Sequence, residues 1–519
     1  MKEPVKDWES QLAGRPPIKN GFTSDLEHKV RERIRMRQRK NKSAFRAVAA
    51  LMSIVIILGG GWWFRDDWKG MLNLDKPEDA LTALLNDPLG DKEVTLSVQL
   101  MMYRDFDQIK KPFIIRHPSV TIETIMTEVE TMHQPEKFKA FVDKANPDIF
   151  MLPVEIYSAM AAEGKLKSLD TLFKQHKFDL EAYHAPLVEM LRLAGGGELY
   201  GFTTDFNSST LLVNRGLFQE QGIALPEAGA SIDDILNTAA RFKGTGVYGL
   251  VTGSGSMERG GLSGFATFIG QSSGLKTLSY GEDKVEASLQ SEGWKGVWQR
   301  LVDGYKDGWL GESKPIDWSK GAMTNKQIYS TELFANGKTA MIIADDRYYK
   351  DLLTYEAATK KPMDWISVPF KLDPGVTNPY DYLSANYVYA INAKSTNEEA
   401  AWELLRFIVG KETADKYDRI GDRGPNLLAR SAAMKSQLKE KWNGYYGMGV
   451  DPERAASGRK DVADGRYIES QREFIKLGKE QMDAVVKGTK TVESALSELQ
   501  GKLDAFLAGL GGRGGENNE

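Results

Sequence analysis

Cysteine is absent from the 519 residues. That excludes disulfides, thiolate zinc sites, cysteine nucleophiles and a lipid-modified cysteine within the chain. Histidine is scarce at five residues, and none falls in an HExxH arrangement. The glycine-rich stretch GSGSMERGGLSG lacks the Gly-Lys-Ser/Thr ending of a phosphate loop. VADGRY, beginning at Val462, lacks the full ligand spacing of a calcium loop. No metal and no cofactor are therefore expected.

What is present suits a folded protein. Hydrophobic residues make up 41% and charged residues 27% of a chain too long for one ordinary compact core, which points to two lobes. The net charge of -4 is uneven. Met1 to Arg46 holds 13 basic and 6 acidic side chains, a net +7, which leaves -11 for the remainder. A nucleic-acid binder is expected to carry its positive charge on a folded surface. Here the charge precedes an apolar run instead, so no nucleic-acid partner is expected.

That run, Ala47 to Phe64, has no charged side chain. Its 18 positions reach about 27 Å as a helix, near the thickness of a bilayer core. The sequence thus predicts a basic cytoplasmic tail over 1–46, a transmembrane anchor over 47–64 and a spacer over 65–92. The lipid bilayer becomes an expected partner, with the large C-terminal part extracellular by the positive-inside tendency. Secretion after signal cleavage is the alternative, with Gly59 and Gly61 flanking a possible cut.

Beyond the spacer, strand and helix patterns alternate. VTLSVQLM from Val94, VTIETIMTE from Val120 and the short run at Ile149 read as strands. Further strands are predicted at Ser209–Val213, Val247–Thr252, Thr339–Ile343 and Tyr387–Ile391. Helices are predicted at Asp105–Arg116, near Pro135–Lys144, at Glu398–Ile408 and behind Thr491. This is the α/β pattern, with helices covering sheets.

Several stretches resemble family 1 extracellular solute-binding proteins of ABC importers, and the sugar-binding branch in particular. They are PDIFMLP at Pro147–Pro153, LYGFTTDFNSSTLLVNRGLFQEQGIALPE at Leu199–Glu227, ELFANGKTAMIIADDRYY at Glu332–Tyr349, and VYAINAKSTNEEAAWELLRFI. ASIDDILNTAARFK resembles the helix that usually opens with Thr-Trp, although Ser231-Ile232 stands there instead. The resemblance implies a two-lobed, periplasmic-binding-protein-like fold with three interlobe crossings, here preceded by the transmembrane helix. It places lobe 1 at 93–205 and 345–388 and lobe 2 at 206–344 and 389–507, while the terminal GGRGGENNE reads as a flexible tail at 508–519. It also implies a solute held between the lobes and separate permease subunits as partners.

Candidate ligand-binding residues sit at strand ends and crossings. Tyr103 and Asp105 follow the first strand; an aromatic packing contact and a helix cap are their alternatives. Asp205 and Asn207 lie in the first crossing, where turn and cap roles compete with ligand binding. Glu258 and Arg259 occupy the glycine-rich loop or form a surface pair. Trp309 and Trp318 bracket GESKPID as possible sugar platforms, whereas Trp294 and Trp298, four apart, fit one packed helix face. Asp346, Arg347 and Tyr348 follow the second crossing, with Tyr348 the favoured stacking residue. Tyr382, Asn386 and Tyr387 form an aromatic and amide cluster that either lines the cleft or fills the core. Arg423 opens the Arg-Gly-Pro-Asn loop, a cleft-side loop or a structural turn.

Non-catalytic capture of a carbohydrate or oligosaccharide for an ABC importer follows from this reading. A ligand-sensing or cell-envelope protein reusing the fold is the alternative. A carbohydrate-active enzyme ranks below both: Glu258 and several aspartates could serve as acids or bases, but paired catalytic carboxylates need a constrained separation that sequence spacing does not show.

Overall fold

The computed structural model describes residues 87–101, 103–128, 131, 135–253, 261–281, 284–313, 324, 327–328, 331–371, 383–420, 427–431, 439–449 and 466–511. In chain order the strands are β1 (Val94–Leu100), β2 (Val120–Met126), β3 (Ile149–Leu152), β4 (Gly201–Phe202) and β5 (Asp205–Asn214). There follow β6 (Tyr248–Val251), β7 (Leu278–Tyr280), β8 (Val285–Ala287), β9 (Leu310–Gly311) and β10 (Thr339–Asp345). The last four are β11 (Trp365–Val368), β12 (Leu383–Ala385), β13 (Val388–Ile391) and β14 (Leu427–Leu428).

Among the described residues these form two mixed sheets, each flanked by helices, and a separate antiparallel pair, β7-β8. The first runs β2-β1-β3-β13-β4, and the second β11-β5-β10-β6-β9. In the first, β1 pairs in parallel with β2 along its whole length, while β13 is antiparallel to β3. Strand β3 has four consecutive buried residues, as expected for a strand covered on both faces. In the second sheet β5 is antiparallel to both β10 and β11, and β10 is parallel to β6.

The sequence reading grouped 389–507 with the second lobe, yet β13 pairs within the first sheet. Helix Glu398–Val409 follows it there, burying Ala401, Trp402, Leu404, Leu405 and Ile408 in the first core. The second core is built from β5, β6 and β10 together with helices at 261–272, 292–306, 467–486 and 492–511. Trp294 and Trp298 are both buried there, on one face of helix Glu292–Lys306. Each fully buried large apolar side chain of this kind contributes about 1.5–3 kcal/mol.

Local chemistry sets the element boundaries. Ser231 accepts a bond from the Asp234 N–H at 3.1 Å, and its own N–H donates to Asp234 Oδ2 at 3.0 Å. This capping box starts helix Ile232–Ala240, so Ser231 supplies a helix start where a Thr-Trp pair was missing. That helix then lies so close to β6 that a Cβ on Gly249 would stand 2.1 Å from the Ala239 carbonyl oxygen.

The expected transmembrane helix is corrected here. Among the described residues no helix is long and apolar enough to cross a membrane. The two longest, Tyr467–Val486 and Val492–Gly511, have 20 residues each but are studded with charges such as Glu473, Lys476, Glu498 and Lys502. The stretch predicted as an anchor, 47–64, lies outside the described residues, as do the tail 1–46 and most of the spacer. The bilayer as partner and the single-pass membrane placement rested on that anchor, and no helix among the described residues supplies one.

Gly249→Ala is expected to destabilise the second lobe by about 1–3 kcal/mol, because the obstructing atom is backbone and has no rotamer to yield. The shift in denaturant midpoint measures this; an unchanged midpoint would mean that the helix and β6 separate freely.

Candidate functional site

The chain passes from the first sheet to the second through Thr203 and Thr204, between β4 and β5. β5 is long enough to serve two neighbourhoods. Its first residues pair with β12 and β14, and its later residues with β10 and β11. Ser384 stands opposite Asn207 and Ala385 opposite Phe206. This register carries Asn386 to the crossing from a position 181 residues away from Asp205.

Three of the predicted residues meet there. Asn386 donates through Nδ2 to Asp205 Oδ2, and its Oδ1 accepts from Asn207 Nδ2 at 2.5 Å. Thr204 Oγ1 donates to the other Asp205 carboxylate oxygen at 2.6 Å, and Thr203 Oγ1 to the Asp205 carbonyl at 2.8 Å. Asp205 and Asn207 are half-buried and Asn386 is exposed. One carboxylate and two amides so placed can exchange hydrogen bonds with a ligand rich in hydroxyl groups.

The second crossing is tied to the first. Asp346 is buried and accepts the Ser208 N–H at 3.2 Å. Asp345 caps helix Asp346–Thr359 by accepting the N–H groups of Arg347 and Tyr348. Arg347 Nε donates back to Asp345 Oδ2 at 2.8 Å, and this pairing raises the guanidinium pKa further above its ordinary value. The Arg347 side chain is otherwise exposed.

Tyr348 is placed differently from the sequence expectation. It is 1% exposed and belongs to the first core, with its ring centroid 6.5 Å from that of Phe334. Burial, and then the neighbouring Glu332 carboxylate, push its phenol well above the usual range. The helix that Asp345 caps points its third residue inward, so the ring packs rather than faces an opening. Trp309 is likewise 5% exposed and packs against Gly304 in the second core, where a Cβ would come within 2.4 Å of its ring. It is no sugar platform in this arrangement. Tyr387 is half-buried against the first core.

Glu258, Arg259, Trp318, Tyr382 and Arg423 lie outside the described residues. The backbone of Tyr103 and Asp105 forms the first turn of helix Tyr103–Arg116, and their side chains lie outside the described part. Sequence reasoning missed His184, Phe206, Tyr445 and Tyr446, which gather at the same junction. Ser208 Oγ donates to the Tyr445 carbonyl at 3.1 Å, and Tyr445 Oη donates to the Asp345 carbonyl at 3.2 Å. The adjacent aromatics in WNGYY were the one available signal. Among the described residues no group of three or more His, Asp or Glu side chains is placed to hold a metal ion.

Residues 109–443 match the family described as bacterial extracellular solute-binding protein. This chain belongs to that family. It is a family of solute-binding proteins and not of catalysts. Solved structures agree on the fold of this solute-binding protein. A family 1 extracellular solute-binding protein from Alicyclobacillus acidocaldarius is 15% identical, with a TM-score of 0.54 over 80% of this chain and 99% of that one. The sugar-binding protein MalE from Xanthomonas citri is 13% identical, with a TM-score of 0.52 over 80% and 98%. UspC from M. tuberculosis is 15% identical, with a TM-score of 0.52 over 79% and 100%. No curated protein sequence is significantly similar to this one. At such identities the likeness establishes the two-lobed α/β architecture.

Tyr348→Ala is expected to cost about 3–5 kcal/mol of stability, since it empties a fully enclosed ring site. Thermal unfolding checks this; a variant that melts like the parent while losing ligand would return Tyr348 to the binding surface.

Proposed function

We propose that this solute-binding protein captures a polyhydroxylated solute of the carbohydrate class where Asp205, Asn207 and Asn386 meet, and that it acts as a ligand-sensing or cell-envelope protein reusing the binding fold. The observation that carries the reading is the hydrogen-bonded chain joining these three side chains across two crossings. Sugar hydroxyls donate and accept at once, which suits a carboxylate beside amides. Exposed Arg347 and half-buried Tyr387 form the proposed rim. A site shared by crossings can couple occupancy to lobe movement, because a ligand shifts the equilibrium by its differential affinity for two arrangements.

Delivery to ABC permease subunits is the second reading. It is supported by the family and by structural likeness to a protein described as a sugar transporter from Rhizobium etli, 16% identical with a TM-score of 0.50. The two roles share the capture step and differ in what receives the occupied protein.

Titration calorimetry against neutral sugars, acidic sugars and peptides tests the ligand class; binding confined to peptides would overturn it. With the sugar identified, Asp205→Asn is expected to weaken binding about 10- to 100-fold, the worth of hydrogen bonds to a charged group. Asn386→Ala should act in the same direction. Unchanged affinity in both variants would move the site elsewhere, and ligand-dependent association with permease subunits would favour delivery.

A further inference from the structure

His184 lies where the two lobes join, and the solute-binding reading does not use it. It immediately precedes helix Ala185–Ala194, whose Leu187, Met190, Leu191 and Ala194 are buried in the first core. Its backbone N–H donates to the Ala429 carbonyl at 2.8 Å, and the Ala429 N–H donates to the Thr204 carbonyl at 2.9 Å. The imidazole is stacked on Phe206 of β5, with centroids 4.9 Å apart and planes inclined by 13°. The Tyr446 ring closes the cluster edge-on, 5.3 Å from the imidazole and 5.3 Å from Phe206. Tyr446 ends helix Lys439–Tyr446, which is seated on the second sheet by the Gly444 N–H donating to Ser367 Oγ at 2.8 Å. One ring is therefore held by a first-lobe helix, by the crossing strand and by a helix resting on the second sheet.

The imidazole is 7% exposed, and its Nε2 has no hydrogen-bond partner. A neutral ring tolerates this. An imidazolium carries a second N–H that needs an acceptor, and its attraction to an aromatic face offsets only part of the lost hydration.

We propose that His184 is a proton-sensitive latch at the lobe junction: protonation disfavours the arrangement described here and favours one in which the ring is hydrated. The inference concerns lobe movement and holds whatever solute is bound.

The titratable and charged side chains around the cluster are Asp205 on β5, Asp346 and Asp418, whose charges act on Tyr446, together with Tyr446 itself, Tyr183, and Arg430 with its partner Asp179 at 3.0 Å. Tyr183 is pushed up to about 12 and Tyr446 above its ordinary range, in both cases chiefly by burial, so neither is an anion at neutral pH. Burial pushes His184 down from 6.5 to about 4. Between those values a hydrated imidazole takes a proton and the enclosed one does not. Acidification through that window therefore draws the equilibrium away from the enclosed arrangement, by at most about tenfold per pH unit for a single proton. Above it, this group contributes no pH dependence.

The full chain has no cysteine, so Lys144→Cys and Glu220→Cys place one spin label on each lobe. The interlabel distance distribution is expected to shift between pH 6.5 and 4.5 while far-ultraviolet circular dichroism stays constant. His184→Phe, which keeps the stack and removes the base, should show the pH 7.5 distance throughout. The same shift in His184→Phe, no shift in the parent, or loss of secondary structure in place of a shift would each overturn the proposal. A direct titration guards against a variant that fails to fold. One of the five histidine imidazoles should titrate below pH 5 by nuclear magnetic resonance and vanish in His184→Gln. Five midpoints near 6–7 would refute the latch.

Discussion

The ladder of hydrogen bonds along β5 is the constraint on which the rest depends. Its first residues hold β12 and β14, and its later residues hold β10 and β11. Backbone donors and acceptors in a buried strand must find partners, so every segment recruited to β5 is fixed in register. That register places Asn386 beside Asp205, and it lets Ala429 bond both Thr204 and His184. The candidate site and the aromatic junction are two products of one strand.

Much of the fold was legible because it rests on local pattern. Alternation announced β1, a continuous apolar run announced β10, and the spacing at Glu398 announced the helix that buries Trp402 and Leu405. The partition of the chain between sheets was less legible. Strand β13 reads as well for one sheet as for the other, since four buried residues in a row carry no sign of their partners. Only pairing with β3 and β4 assigns it.

The site divides along the same line. Asp205, Asn207 and Asn386 could be named in advance because they sit at strand ends and crossings, yet nothing local announces that the three bond to one another, since turn and cap roles suit the same residues. Tyr348 and Trp309 were misplaced because an aromatic ring beside a strand end suits a core as well as a cleft, and the choice belongs to packing. His184 escaped notice for the opposite reason: a lone histidine has no spacing to betray it, and its surroundings come from residues 206 and 446.

The alternation within β5 has a further consequence. Leu211 and Val213 enter the second core, whereas Leu212 between them enters the first. Adding or deleting one residue between Asp205 and Leu211 would exchange these allegiances at every position downstream, because side chains alternate with a period of two. Length variation among descendants of this sequence should accordingly be purged from β5 and accumulate in the connections between helices, leaving this strand as the fixed ruler against which homologous chains can be aligned.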